Sequence, residues 1–224
     1  MSEIKIILGS ASPRRRALLA KLGVRFETMT ADVDEDVITV ADPATNVLDR
    51  ARLKAAALQD QVPSGAIIIT SDTTVADGVE MLNKPADEDE AWRMLRQLRG
   101  RTHQVHTGLI MIDTAGKEHA QVNSTNVVMR PYDDGEIEAY IKTGDPMDKA
   151  GAYAIQSPGF RPVDHIVGCF TGVMGFPLCD VADLLEQCGV SLPIPEKITA
   201  EEKIDFYLCG RCEARLNLKY ESKS

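Results

Sequence analysis

Ile4-Lys5-Ile6-Ile7-Leu8-Gly9-Ser10-Ala11-Ser12-Pro13-Arg14-Arg15 runs from a short apolar segment through small residues into a helix start, and this order decides the fold class. Residues 4–8 are apolar apart from Lys5, rich in isoleucine and of strand length. Ser12 can accept from the free amides of a first turn, Pro13 has the fixed φ such a turn needs, and Leu18, Leu19 and Leu22 form an apolar stripe that stops at Gly23. A strand that feeds a helix through a tight turn is the unit of an α/β protein. The turn also has chemical value, because the amides and dipole of a helix N-terminus attract anions. Arg14 and Arg15 stand in that first turn, where the dipole opposes cations unless an anion is bound beside them. The glycine, lysine and hydroxyl spacing of a P-loop is absent.

The alternation continues outward from this segment. Residues 66–70 and 107–112 read as strands, with helices between and after them. A helix opening at Asp42-Pro43 stacks Ala44, Val47, Leu48, Ala51, Ala55 and Leu58 at helical spacing. Lys54 borders this stripe, where an ammonium without a partner is costly. Asp87 and Glu90 have the spacing of a capping box ahead of Ala91, Met94, Leu95 and Leu98, and Gly100 ends that helix. Asp77-Gly78 and Ala115-Gly116 read as hairpin turns, so part of the sheet is antiparallel. Further helices are expected over 134–142 and 177–188, stopped by Gly144 and Gly189. From Pro193 the chain is more polar and reads as an appendage, giving one domain over 1–192 and a C-terminal extension over 193–224.

Composition narrows the function. Of 224 residues 44% are hydrophobic, enough for a sizeable core. The 25 basic and 34 acidic residues leave a net charge of −9, which disfavours nucleic acid or an anionic membrane as main partner. Any phosphate chemistry must then come from a local basic cluster. Five cysteines cannot form a complete disulfide framework, residues 4–8 are too short for a signal-peptide core, and no stretch approaches a membrane span, so the chain reads as cytosolic. Cys209 and Cys212 are spaced like half a zinc site, lack a second pair nearby, and are expected to hold neither metal nor disulfide.

Candidate site residues gather around phosphate and metal chemistry. Ser71-Asp72-Thr73-Thr74 directly follows the apolar run, which places Asp72 at the carboxyl end of a strand, where α/β sheets bind ligands. A carboxylate there suits a hard cation, and the acidic run Asp32, Asp34, Glu35 and Asp36 can supply its partner. Lys84-Pro85 returns a lysine toward the same end. Lys149-Ala150-Gly151-Ala152-Tyr153-Ala154-Ile155-Gln156 joins small residues, which admit close backbone approach, to an amide able to both donate and accept. Together these amount to a triphosphate and metal site with one reader of a base. His103 and His106 are expected to share one face of a strand in structural roles, and no G-x-S-x-G nucleophile is present. Asp72-Thr73-Thr74 also lacks the second aspartate, two residues on, of the haloacid-dehalogenase phosphatases.

These motifs, in this order, resemble the Maf family of nucleotide pyrophosphatases from about Ile4 to about Gly189. The resemblance rests on Ser10-Ala11-Ser12-Pro13-Arg14-Arg15, Ser71-Asp72-Thr73, Asn83-Lys84-Pro85, Gly100 to Gly108, Asp148 to Gln156, and Val173-Met174-Gly175-Phe176-Pro177-Leu178. It implies a fold akin to the inosine triphosphate pyrophosphatases, a mixed twisted sheet with flanking helices forming two lobes around a cleft, often in a homodimer. It also implies Mg2+ or Mn2+ and cleavage between the α and β phosphates. Carried over by motif, Ser10, Arg14, Arg15, Lys54 and Lys84 would hold phosphates, and Glu35 and Asp72 would handle metal and water. Thr73 and Gln156 would contact the base, and Asp72-Thr73 with Lys149 to Tyr153 and Gln156 resembles the branch acting on dTTP and UTP. Two departures stand out: Ser157-Pro158 follows Gln156 where a glycine is usual, and the chain continues past the family domain. Readings kept beside this one are a nucleotide-binding regulator of septum formation with little turnover, and house-cleaning of modified pyrimidine triphosphates.

Overall fold

The computed structural model describes residues 4–157 and 159–192. The C-terminal extension and the Cys209/Cys212 pair lie outside the described residues. The strands are β1 (Ile6–Gly9), β2 (Glu27–Met29), β3 (Ile67–Asp77), β4 (Glu80–Leu82), β5 (Thr102–Ile112), β6 (Glu118–Met129) and β7 (Val163–Val167). The α-helices are α1 (Pro13–Ala20), α2 (Pro43–Gln59), α3 (Glu88–Leu98), α4 (Asp134–Ile141), α5 (Phe170–Val173) and α6 (Leu178–Gln187). The expected helix starts hold: Ser12, Asp42 and Asp87 each accept from the amide three residues on, and Asp133 with Glu136 completes a full capping box before α4. Among the described residues, no helix is long and apolar enough to cross a membrane.

The mixed sheet runs β2-β1-β3-β5-β6-β7, with β4 also on β3. β1 pairs β2 and β3 in parallel, and every other pairing is antiparallel. One edge of β3 is covered in two pieces. β1 pairs Ile67 to Ile69, β4 pairs Val75 to Asp77, and residues 70–74 between them have no strand on that side. Alternation then sets the faces. Ile68 packs with Ala51, Ala55 and Leu58 of α2, while Ile67 and Ile69 pack with Leu18, Leu19, Phe176 and Leu185 on the opposite side. A separate core surrounds the far ends of the long strands, where Val75, Val105 and Val127 meet Leu95, Tyr132, Tyr140 and Phe160.

Three expectations need correction. β3 continues to Asp77 past the apolar run, so Asp72 lies mid-strand and not at its carboxyl end. Pairing with β5 carries the strand through its polar half, and Asp72 stands just beyond the carboxyl end of the neighbouring β1. β5 likewise starts at Thr102, not 107, because β6, a strand polar over most of its length, pairs along it. His103 and His106 are three apart, an odd interval, so they point to opposite faces: His103 bonds the Tyr153 hydroxyl and His106 the Ser124 hydroxyl.

Candidate active site

A cleft of about 1740 Å3 opens along the uncovered edge of β3, and Ser10, Arg14, Arg15, Glu35, Lys54, Asp72, Thr73, Lys84 and Gln156 all line it. Every site residue expected from sequence is therefore in one place. Of the acidic run, Asp34, Glu35 and Asp36 line the cleft.

Its floor is an ion cluster between α2 and β3. Lys54 Nζ donates to Asp72 Oδ1 at 2.6 Å and pairs with Glu35 Oε1 at 2.9 Å. The lysine bordering the apolar stripe of α2 thus spans two carboxylates. Close packing makes this possible: Gly108 lies opposite Asp72 in the β3–β5 register, and a Cβ there would stand 2.7 Å from the Val47 carbonyl. Only glycine lets α2 come so near. Burial pushes the Asp72 carboxyl up from its ordinary value; the Lys54 charge and hydrogen bond pull against that, and the Glu35 charge adds to it. Burial also raises Glu35, but the Lys54 hydrogen bond and charge, with Arg50 behind them, outweigh it and hold Glu35 below its ordinary value. Two adjacent carboxylates are split this way into a firmly ionised member and a more basic one.

Arg15 lines the cleft and is also bound to the protein around it. It is half-buried, and desolvation lowers its pKa against the pull of Asp72 and Glu35. Its Nε donates to the Gly175 carbonyl at 2.9 Å, Nη1 to the Ser71 carbonyl at 2.8 Å and to Ser10 Oγ at 3.4 Å, and Nη2 to Thr73 Oγ1 at 3.3 Å. Of five N–H groups, four serve the protein. Arg15 therefore occupies the uncovered stretch of β3 and ties it to α1 and to Gly175, whose φ of 93° suits glycine. From Thr73 the bonds run on in a fixed sense. Thr107 donates to the Gly172 carbonyl, so Thr73 must donate to Thr107. The Thr73 hydroxyl can offer a ligand only a lone pair.

The opposite wall is the Lys149 to Gln156 segment. Lys149 pairs with Asp145 and Asp148, and Tyr140 donates to Asp145 and accepts from the Ala154 amide. Tyr153 meets His103 at 2.8 Å, and burial pulls His103 down to about 4, so its imidazole is neutral near pH 7. Arg14 and Lys84 are exposed at the cleft.

The family model described as Maf-like protein matches residues 5–188. The chain belongs to the Maf family. It is 42% identical over 189 residues to a dTTP/UTP pyrophosphatase of Pelotomaculum thermopropionicum, covering 84% of this chain and 98% of that one. To a dTTP/UTP pyrophosphatase of Myxococcus xanthus it is 44% identical over 189 residues, covering 84% and 94%. A HAM1 protein of Coxiella burnetii superposes at a TM-score of 0.42 with 14% identity, over 72% of this chain and 81% of that one, too loosely to carry an argument.

Sequence reasoning on this Maf protein missed two groups at the cleft. Arg50 lines it beside Glu35, and its signal was available, since it precedes Lys54 by four residues and so shares its helix face. Gly175 supplies the carbonyl that orients both Arg15 and Ser71 Oγ. It sat inside a recognised motif, but its role depends on a loop packing that local sequence does not encode.

Proposed function

We propose that this Maf protein hydrolyses dTTP and UTP to the monophosphate and pyrophosphate. The observation that carries the reading is the Asp72–Lys54–Glu35 cluster at the base of a cleft lined by further cations. Asp72 Oδ1 accepts from Lys54, which leaves Oδ2 to take a proton from a water oxygen as that oxygen bonds to the α phosphorus. The raised proton affinity of Asp72 suits it to this role. The bond from the α phosphorus to the bridging oxygen breaks, and pyrophosphate departs with its charge offset by Lys54, Arg14 and Lys84.

The donor set fits a hard divalent cation. Two carboxylates, Glu35 and Asp72, stand together beside the Lys54 ammonium in the cleft. That matches Mg2+ or Mn2+, which is commonly held by one or two carboxylates with the rest supplied by phosphate oxygens and water. Glu35 and Asp72 would hold it, and it would supply Lewis-acid neutralisation of the phosphate charge. Ser10 Oγ accepts from Ser12 N and Arg15, so its own proton is free for a phosphate oxygen. The acceptor-only state of Thr73 supports a base that presents an N–H, as uracil and thymine do at N3. Gln156, facing the cleft with both donor and acceptor, would read the neighbouring carbonyl.

A regulator without turnover is not favoured, because both carboxylates and Lys54 are assembled and the relatives named above are pyrophosphatases. The test is pyrophosphate release from a panel of standard and modified nucleoside triphosphates, with Mg2+ and Mn2+ in parallel, comparing wild type with Asp72→Asn. Release from dTTP or UTP that disappears in the variant is expected. No release from any triphosphate would defeat the proposal.

A further inference from the structure

We infer that Arg50 is a pyrophosphate-binding residue of this cleft, a ligand to the leaving group. The inference rests on the activity proposed above and adds a residue to it. Arg50 sits on α2 one turn before Lys54, with its side chain 16% exposed and facing the cleft. Its side chain completes no hydrogen bond among the described residues. Its Nε is buried without a partner, and its contacts to Glu35 Oε2 and Asp36 Oδ1 are ion pairs at 3.8 and 3.6 Å, beyond hydrogen-bond reach.

The same helix shows what an arginine does when protein partners are meant for it. Arg52, two residues on, closes a forked pair with Glu118 at 2.8 to 3.0 Å and binds Asp49 as well. Arg15 gives four of its N–H groups to the protein. Arg50 alone among these three keeps its fork open, and it does so inside a cleft built for a polyanion. A planar fork of donors with no carboxylate seated on it matches phosphate oxygens in geometry and charge.

Position selects the leaving group over the rest of the nucleotide. Contacts run from Asp72 to Lys54, from Lys54 to Glu35, and from Glu35 to Arg50. Thr73, which would meet the base, has its bonds to Arg15 and Thr107 and takes no part in this series. With the α phosphorus at Asp72, Arg50 stands beyond Lys54 and Glu35 in this series of contacts, which assigns it to the β and γ phosphates and not to the nucleoside.

The experiment is calorimetric titration of wild type, Arg50→Gln and Arg50→Lys with inorganic pyrophosphate in Mg2+, and separately with UMP. Arg50→Gln should weaken pyrophosphate binding about tenfold or more, as expected for loss of a charge-assisted fork, while UMP affinity changes by less than about twofold. Arg50→Lys, which keeps the charge and loses the fork, should fall between them. Thermal melts confirm that each variant is folded, and if Arg50→Gln is not, Arg50→Lys carries the comparison. Unchanged pyrophosphate affinity in the folded variants overturns the inference, as does equal weakening of UMP, which would make Arg50 a general charge of the cleft. Failure of wild type to bind pyrophosphate overturns it too. A wild type that binds pyrophosphate through Arg50 but releases none from any triphosphate would sink the proposed activity alone.

Discussion

Replacing Gly108 by alanine should cripple the site without touching any group in it. A Cβ at Gly108 would lie 2.7 Å from both C and O of Val47 and 2.8 Å from the Leu48 amide nitrogen. These are backbone atoms of α2, so no rotamer change relieves the clash and the helix itself must move. Going from 2.7 Å to ordinary contact at about 3.4 Å demands a displacement of about 0.7 Å. Arg50 and Lys54 ride on the next two turns of α2 and would be carried away from β3. Forced overpacking of this kind costs about 1–3 kcal/mol, which for a domain of this size lowers Tm by about 3–10 °C. An error of about 1 Å in placing a catalytic group costs about a hundredfold, so kcat for UTP should fall by about 30- to 100-fold. Adding Val47→Ala should not restore it, because the obstructing atoms are main-chain. Steady-state kinetics and a thermal melt decide the matter. A Gly108→Ala protein with kcat within twofold and Tm within about 1 °C of wild type would show that α2 does not set the Lys54–Asp72 distance.

Three further outcomes follow from the same geometry. Asp72→Asn should abolish turnover by about 10²–10⁴-fold, the usual weight of a general base, and its effect on Tm should become more favourable as pH rises from below the ordinary carboxylate value of 3.8. The sign follows from burial, which raises the folded-state pKa of Asp72: the wild type bears the cost of an ionised buried carboxylate above that pKa and is relieved of it below. Arg15→Met should lower stability by about 3 kcal/mol, since it strands the Ser71 and Gly175 carbonyls. The neighbouring Arg14→Gln, at an exposed position, should leave Tm unchanged and weaken triphosphate binding; equal melts for the two variants would contradict the division of labour drawn between them. His103, held to about 4 by burial against an unfolded value of 6.5, should contribute stability that is full above pH 6.5 and is lost as pH falls toward 4, about 3 kcal/mol in all. Melts of His103→Gln against pH should lack that slope.

The helices and the site composition were readable because their signals are local. Ser12, Asp42 and Asp87 mark caps by residue type and spacing, and the apolar stripes of α2 and α3 have helical period. Lys54 was legible as an anomaly, a charge bordering a buried stripe, and the structure supplies its partners. Strand extents were less accessible. β6 contains Gln121, Asn123, Ser124 and Asn126 and carries an apolar run only over its last three residues; it is a strand because β5 lies beside it. The polar half of β3 is a strand for the same reason, which is why Asp72 was placed at an end and not in the middle. The duty of Arg15 was equally hidden, since three of its four bonds go to residues 56 to 160 positions away.

The cleft itself follows from strand lengths. β1 ends at Gly9, and β4 does not begin to pair until Val75, so residues 70–74 of β3 face an opening on that edge. An unpaired carbonyl in a sheet interior has to be satisfied, and at Ser71 it is satisfied by a guanidinium and not by a neighbouring strand. The result is a fixed positive charge at the mouth of the opening. Its bonds there go to neutral carbonyls and hydroxyls, so its charge is not cancelled by them. The floor behaves differently, because there Lys54 stands between two carboxylates, one of which also meets Arg50. A chain of net charge −9 can therefore present, over a few residues of one interrupted strand, a guanidinium beside paired carboxylates, the arrangement that the proposed function draws on. Extending β1 by two residues across that edge would pair Ser71 conventionally, displace Arg15, and remove the cleft along with it.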